Sequence, residues 1–354
     1  MGFTYLFQIP IEESHQVDQK IIAKPISAKN ESQHYELLKF LSEGNTDFSE
    51  IDEFGWTPLH KAIELDDIEI VKQLIFNSKC TDLNFTNHIG TTPLTYAISK
   101  GNIDVIKLLT NNGADMNSVD ILGWAPISKA ISQNNLGLVK FLIENGANIN
   151  NTDGTGMTLI IKAIDSNNIE IVKLLIENGA NVNMLDTNLD SPIQKAISKG
   201  NFKILQLLIE NGANVNWIHD SANWTPLTKA IDCNKIDMVK LLIESGADPN
   251  RSDPKHWTPI SKAIFNNNFE ILGLLIEKGT DVNLINVANW TPLTLAIEMN
   301  RFEAVKLLIA NGVNLNLCNG GGISPLSKAV HKNNLDVVKL LHSGKLTLRF
   351  QHYF

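Results

Sequence analysis

The sequence predicts an all-α repeat solenoid, and three observations carry that prediction. One alanine returns at positions 62, 97, 130, 163, 196, 230, 263, 296 and 329, in steps of 33 to 35 residues. Ahead of most of these alanines stands a proline behind a Thr or Ser, as in Trp56-Thr57-Pro58-Leu59-His60-Lys61-Ala62-Ile63 and Trp224-Thr225-Pro226-Leu227-Thr228-Lys229-Ala230-Ile231. Behind them the chain returns each time to an apolar run closed by Asn-Gly or a near equivalent, as in Ile169-Glu170-Ile171-Val172-Lys173-Leu174-Leu175-Ile176-Glu177-Asn178-Gly179. A fixed period of this length marks units that cannot bury their apolar faces alone and do so by stacking, so one continuous body is expected.

In chain order, residues 1–24 form an N-terminal leader. It is partly apolar (Phe3, Tyr5, Leu6, Phe7, Ile9, Ile11) and is expected to pack on the first repeat. The repeat array is assigned to residues 25–344: about nine full repeats behind a degenerate capping repeat. Pro25 lies 33 residues before Pro58, and Tyr35 to Leu41 reads as a second helix ending at Gly44. Within a full repeat, Thr before Pro is an N-cap followed by proline at the first helical turn, where a missing N–H does no harm. The short first helix ends beyond Ala-Ile at Asp66, Gly101, Asn134, Asn167, Gly200, Asn234, Asn267, Asn300 or Asn333. These residue types tolerate a left-handed turn, so the choice follows the backbone. A second amphipathic helix follows, with apolar 171, 172, 174, 175 and 176 on a broad inner face and Lys173 with Glu177 outside. A polar hairpin-like loop then leads to the next Thr-Pro. A short apolar tail, 345–354, alternates Leu346, Leu348 and Phe350 with polar residues.

These units resemble the ankyrin repeat. Thr57-Pro58-Leu59-His60 matches its first signature, while Gly113-Ala114-Asp115-Met116-Asn117, Gly179-Ala180-Asn181-Val182-Asn183 and Gly246-Ala247-Asp248-Pro249-Asn250 match its second. The resemblance spans residues 25 to 344 and implies a protein-binding module. It also implies that the signature histidine ties neighbouring loops. Here that histidine survives only as His60, giving way elsewhere to Thr, Ser, Gln or Ile. Thr and Ser are expected to keep part of its role, and Ile160 none of it. The unit around Ala163 has Leu159 in place of proline, with Gly154 and Gly156 nearby, and reads as the least constrained loop.

Composition narrows the function. The formal net charge of -8 argues against general affinity for nucleic acid or acidic membranes. No apolar run of 18 residues is present to span a bilayer, and the start lacks the basic region of a secretory signal. Cys80, Cys233 and Cys318 form no CxxC and read as free thiols in a reducing compartment, so a cytoplasmic location is expected. No phosphate-binding glycine motif, HExxH or Cys/His ligand spacing occurs, and Gly320-Gly321-Gly322 reads as a hairpin tip. Aspartates and glutamates fall at caps and outer faces and read as solvated. The chain is therefore read as a non-enzyme without cofactor or metal.

Two columns are candidates for recognition, because binding in a repeat protein lives on residues that the fold does not dictate. Trp56, Trp124, Trp224, Trp257 and Trp290 share the slot before Thr-Pro or Ala-Pro. Lys61, Lys129, Lys162, Lys195, Lys229, Lys262 and Lys328 precede the alanine, with Tyr96 and Leu295 as exceptions. By resemblance both columns face the concave groove, and the lysines would form a ladder with spacing near the Debye length of about 8 Å. Lys–Trp contacts between neighbours are worth about 0.5–1 kcal/mol if exposed. Packing of the indoles across repeat junctions, with lysine stems over apolar surface, is the structural alternative. Phe265 and Met299, apolar where solvent is expected, extend the candidate surface. The implied partner of this monomer is an acidic and apolar protein segment met by an adaptor or scaffold. Two alternatives are an effector of an intracellular microbe or virus that occupies a host protein, and a self-associating spacer.

Overall fold

The computed structural model describes residues 51–77, 82–218, 224–286 and 288–351, with only the backbone of 344–351. The leader and the capping repeat before residue 51 lie outside the described residues, as do Cys80 and the end of the tail. Eighteen helices are described, in nine pairs, and no strand occurs among the described residues. Where the sequence suggested one body, the chain divides into two compact units, Met1–Ile121 and Leu122–Phe354.

The first unit holds α1 (Pro58–Glu64) with α2 (Ile68–Asn77) and α3 (Pro93–Lys100) with α4 (Ile103–Asn111). The second holds the pairs α5 (Pro126–Ser132) and α6 (Leu136–Glu144), α7 (Leu159–Asp165) and α8 (Ile169–Glu177), and α9 (Pro192–Lys199) and α10 (Phe202–Glu210). It continues with α11 (Pro226–Asp232) and α12 (Ile236–Glu244), α13 (Pro259–Phe265) and α14 (Phe269–Glu277), α15 (Pro292–Glu298) and α16 (Phe302–Ala310), and α17 (Pro325–His331) and α18 (Leu335–Gln351). Within each unit first helices pack on first helices and second on second. The final helix runs to Gln351, so residue 344 ends no element.

The sequence pattern explains each pair. All nine recurring alanines are fully buried, because only a small side chain fits between a first helix and its neighbours. Thr57, Thr92, Thr158, Thr225, Thr258 and Thr291 cap the first helices through their hydroxyls, whereas Ala125 offers no side-chain cap. Every non-glycine turn residue named above adopts positive φ, between 53° and 60°. The residue directly after the turn caps the second helix where it is asparagine, at Asn102, Asn135, Asn168, Asn201 and Asn268, whereas Lys235 and Arg301 there offer no side-chain cap.

Asparagine also joins repeat to repeat. The Nδ2 of Asn168 donates to Asn134 Oδ1, and that of Asn201 to Asn167 Oδ1, both at 2.6 Å. In the loops, Asn183 Nδ2 donates to Gly212 O at 3.0 Å and its Oδ1 accepts the Asn214 N–H at 2.8 Å. Asn150 and Asn216 repeat that two-bond clasp one repeat either side. A net hydrogen bond contributes about 0.5–1.5 kcal/mol, and these loops are wet. Asn183→Ala is therefore expected to lower stability by about 1–2 kcal/mol, measured by urea denaturation of the full chain. A loss under about 0.3 kcal/mol would mean that water replaces the clasp at no cost.

Of two expectations about junctions, the first holds in a specific form and the second is corrected. At the signature-histidine position, Thr95, Thr228 and Thr294 turn their hydroxyls back to their own N-cap carbonyls at 2.9, 3.2 and 3.1 Å. They keep the local half of the role, and Thr228 also reaches the Asp253 carboxyl of the next repeat. Gln194 does bridge, through Nε2 to Trp224 O at 2.8 Å. The loop before α7 is well tied rather than loose. Asp153 Oδ1 accepts the N–H of Thr155 and of Met157 and the Thr155 hydroxyl, at 3.0, 3.1 and 2.5 Å. Gly154 is required there because a Cβ would lie 1.4 Å from Leu122 O.

Candidate partner-binding face

The tryptophan slot is built by the residue four places before it. Asp52, Asp153, Asp186 and Asp253, or Asn87, Asn286 and Asn319, donate their own N–H to the slot residue's carbonyl. Their Oδ1 accepts the slot residue's N–H, as Asp253 does from Trp257 at 2.9 Å and Asn286 from Trp290 at 2.8 Å. This double bond pins the backbone of the slot and leaves its side chain free to vary. All five tryptophans are half-buried, neither sealed in the core nor standing in solvent.

Four of the five rings meet the residue before the alanine of the following repeat, and Trp257 meets its own repeat instead. Lys162 Nζ lies 3.3 Å from the Trp124 ring centre, Lys262 4.2 Å from Trp224 and Lys328 4.9 Å from Trp290. In the first unit the exception Tyr96 supplies a ring instead, edge-on to Trp56 at 4.6 Å, with His60 5.8 Å away. Trp257 stacks on Phe265 at 4.9 Å, and Phe265 remains 40% exposed. Met299 is half-buried at the C-cap of α15. Trp224, Trp257, Lys262 and Phe265 thus converge, with Lys229 5.8 Å from the Trp224 ring. Lys195 and the half-buried Lys129 lie apart from that cluster.

The lysine column is not a run of bare charges. Lys61 pairs with Asp52 at 3.3 Å and Lys162 with Asp153 at 2.5 Å, each within its own repeat. Lys195 pairs with Asp165 at 3.0 Å, Lys262 with Asp232 at 2.7 Å, and Lys328 with Glu298, each acid lying 30 residues earlier at the end of the preceding first helix. Lys199 and Lys332 add second ammonium groups to Asp165 and Glu298, both at 2.8 Å. Reading these acids as solvated missed them; the recurring acid two residues beyond the alanine was the available signal. Burial alone would raise the Asp165 carboxyl, but Lys199 and Lys195 hold it below the ordinary value. The Lys328 and Lys332 ammonium groups do the same for Glu298. At Asp190 and Asp253 burial outweighs the lysines and hydrogen bonds that oppose it, and both carboxyls lie above the ordinary value.

The repeating pair, the alanine spine and the capped loops agree with a comparison to known families. The family model described as ankyrin repeats (3 copies) matches residues 26–120, 112–186, 178–253, 196–286 and 260–349. The chain belongs to the ankyrin-repeat family. Among solved structures it is similar to the ankyrin repeat domain of Bcl-3, a member of the IkappaB protein family, at 27% identity and a TM-score of 0.54. That match covers 59% of this chain and 94% of the Bcl-3 domain. No curated protein matches it in sequence. Ankyrin repeats are protein–protein interaction modules without a catalytic centre. Among the described residues of this ankyrin array no cluster of His, Cys, Asp or Glu could hold a metal ion, and no helix is long and apolar enough to cross a membrane.

Proposed function

We propose that the chain binds a protein partner through the first-helix face of its second unit, with Trp224, Trp257 and Trp290 as anchors. The observation that carries this reading is the open aromatic cluster at Trp224, Trp257 and Phe265, where an exposed phenyl ring lies on a half-buried indole. A core has no use for such an arrangement, and half-buried tryptophans ringed by polar groups are what interfaces use as hot spots. The partner segment is apolar or aromatic. The expectation of an acidic one loses its basis, because carboxylates of the same chain already neutralise Lys61, Lys162, Lys195, Lys262 and Lys328. The chain acts as a monomeric adaptor and performs no reaction of its own. Free thiols at Cys233 and Cys318 favour a reducing, cytoplasmic setting.

The test is affinity capture with the full chain and with Trp224→Ala, Trp257→Ala and Trp290→Ala combined. The expected result is a variant of unchanged helicity and monomeric sedimentation that loses its bound proteins, since each hot-spot truncation costs about 2 kcal/mol or more. Capture of the same proteins in the same yield by the folded variant would move the binding face elsewhere. Self-association of the unaltered chain in sedimentation would favour a spacer instead.

A further inference from the structure

Lys262 is a surface-type side chain in an unusual place. Only 5% of it is exposed. Its ammonium lies 4.2 Å from the Trp224 ring centre, 5.4 Å from Trp257 and 5.8 Å from Phe265, with the Asp232 carboxylate at 2.7 Å. Three aromatic walls and one carboxylate form a cation site, and this chain fills it with its own lysine.

A second carboxylate lies beside that site. Asp253 is 3% exposed, and its Oδ1 accepts the Trp257 N–H at 2.9 Å. Its Oδ2 is buried and, among the described residues, no ammonium pairs with it, since Lys262 pairs with Asp232 instead. The Thr228 hydroxyl of the preceding repeat helps to hold the Asp253 charge, and it also lies 3.2 Å from Thr225 O, so it is shared between the two acceptors. A buried carboxylate held by a shared hydroxyl rather than by a cation keeps part of its desolvation cost. Elsewhere in the chain a lysine at this register reaches the carboxylate of its own turn, as Lys61 reaches Asp52 and Lys162 reaches Asp153. The same stem therefore has the length to reach either acid, and Lys262 has both.

We propose that Lys262 is a displaceable occupant of this site, and that a lysine or arginine side chain of the protein partner takes its place against Trp224, Trp257 and Asp232 while Lys262 turns onto Asp253. The exchange replaces one cation in the aromatic site by another and gives the buried Asp253 carboxylate the ammonium partner it lacks. Two carboxylates then hold two cations in place of one. Lys255 and Lys229, 5.0 and 5.8 Å from the Trp224 ring, do not exclude an incoming charge, since the Lys262 ammonium already sits beside them. The idea rests on the first-helix face being the binding face, and it adds the chemistry of one contact.

The experiment uses no protein partner, so it succeeds or fails independently of the tryptophan capture test. The full chain carries lysine labelled with carbon-13 at Cε, and Lys262→Arg identifies the Lys262 resonance, which the indole rings shift upfield. n-Butylguanidinium chloride is titrated against sodium chloride of equal ionic strength. The expected result is a saturable shift of the Lys262 signal in guanidinium alone, with Asp253→Asn weakening the affinity at least threefold. Asn286 and Asn319 hold the same turn elsewhere, so Asp253→Asn keeps the fold. A Lys262 signal indifferent to guanidinium overturns the proposal, and so does an Asp253→Asn chain whose affinity falls less than threefold.

Discussion

Lys162→Met is expected to destabilise the second unit by about 3–5 kcal/mol, the scale of breaking a buried ion pair from one side. The methionine keeps most of the stem's volume but removes the ammonium that lies 2.5 Å from Asp153 and 3.3 Å from the Trp124 ring centre. Asp153 has no exposed side-chain surface, so its charge would be stranded. Burial pushes that carboxyl up; Lys162, the Thr155 hydroxyl and the Met157 N–H together hold it below the ordinary value. Adding Asp153→Asn should restore most of the loss, because asparagine makes the same turn bonds at Asn87 and Asn319. Urea denaturation of the two variants and their parent measures both effects. A Lys162→Met penalty under 1 kcal/mol, or no recovery in the double variant, would mean that the pair is not what holds this loop.

Acidification should weaken the first unit through one residue. His60 is fully buried and its pKa falls to about 4, chiefly through burial, which the bond to Thr91 only partly offsets. Its Nε2 lies 3.0 Å from Thr91 O, an acceptor only, so Nε2 carries the hydrogen and Nδ1 accepts from the Thr57 hydroxyl at 2.8 Å. The unfolded chain binds a proton at this residue below pH 6.5, and the folded one only below about 4. Between those values the unfolded state holds more protons, so stability rises with pH. The contribution is complete above pH 6.5, and about 3 kcal/mol is lost as pH falls to 4. His60→Gln should remove this slope, because Gln194 makes the equivalent bridge without a titrating group. Denaturation at pH 7, 5.5 and 4.5 checks it; an unchanged slope in the glutamine variant would place the acid sensitivity elsewhere.

The parts of this molecule that were legible in advance are those where geometry admits few residue types. The spine alanines were readable because any larger side chain collides, and the positive-φ turns because only Gly, Asn and Asp settle there. The tryptophan and lysine columns were readable as columns. Their meeting was readable as a possibility, since residues 38 apart, such as Trp224 and Lys262, fall on adjoining repeats. What could not be read was which acid each ammonium would choose. Asp232 and Asp253 stand 30 and 9 residues before Lys262, and a flexible four-carbon stem can serve either. The hydroxyls of Thr95 and Ser261 had a comparable choice between their own cap and the next repeat, and the nearer acceptor won. The division after Ile121 left no trace in the period, which holds at 33 residues across it.

The asparagine clasps make neighbouring junctions of the second unit nearly interchangeable, since Asn150, Asn183 and Asn216 each tie one amide and one carbonyl of the next loop. Under mechanical load such a series has no dominant fuse. Helix pairs would let go singly, each release paying out about 110 Å of slack from a 33-residue period.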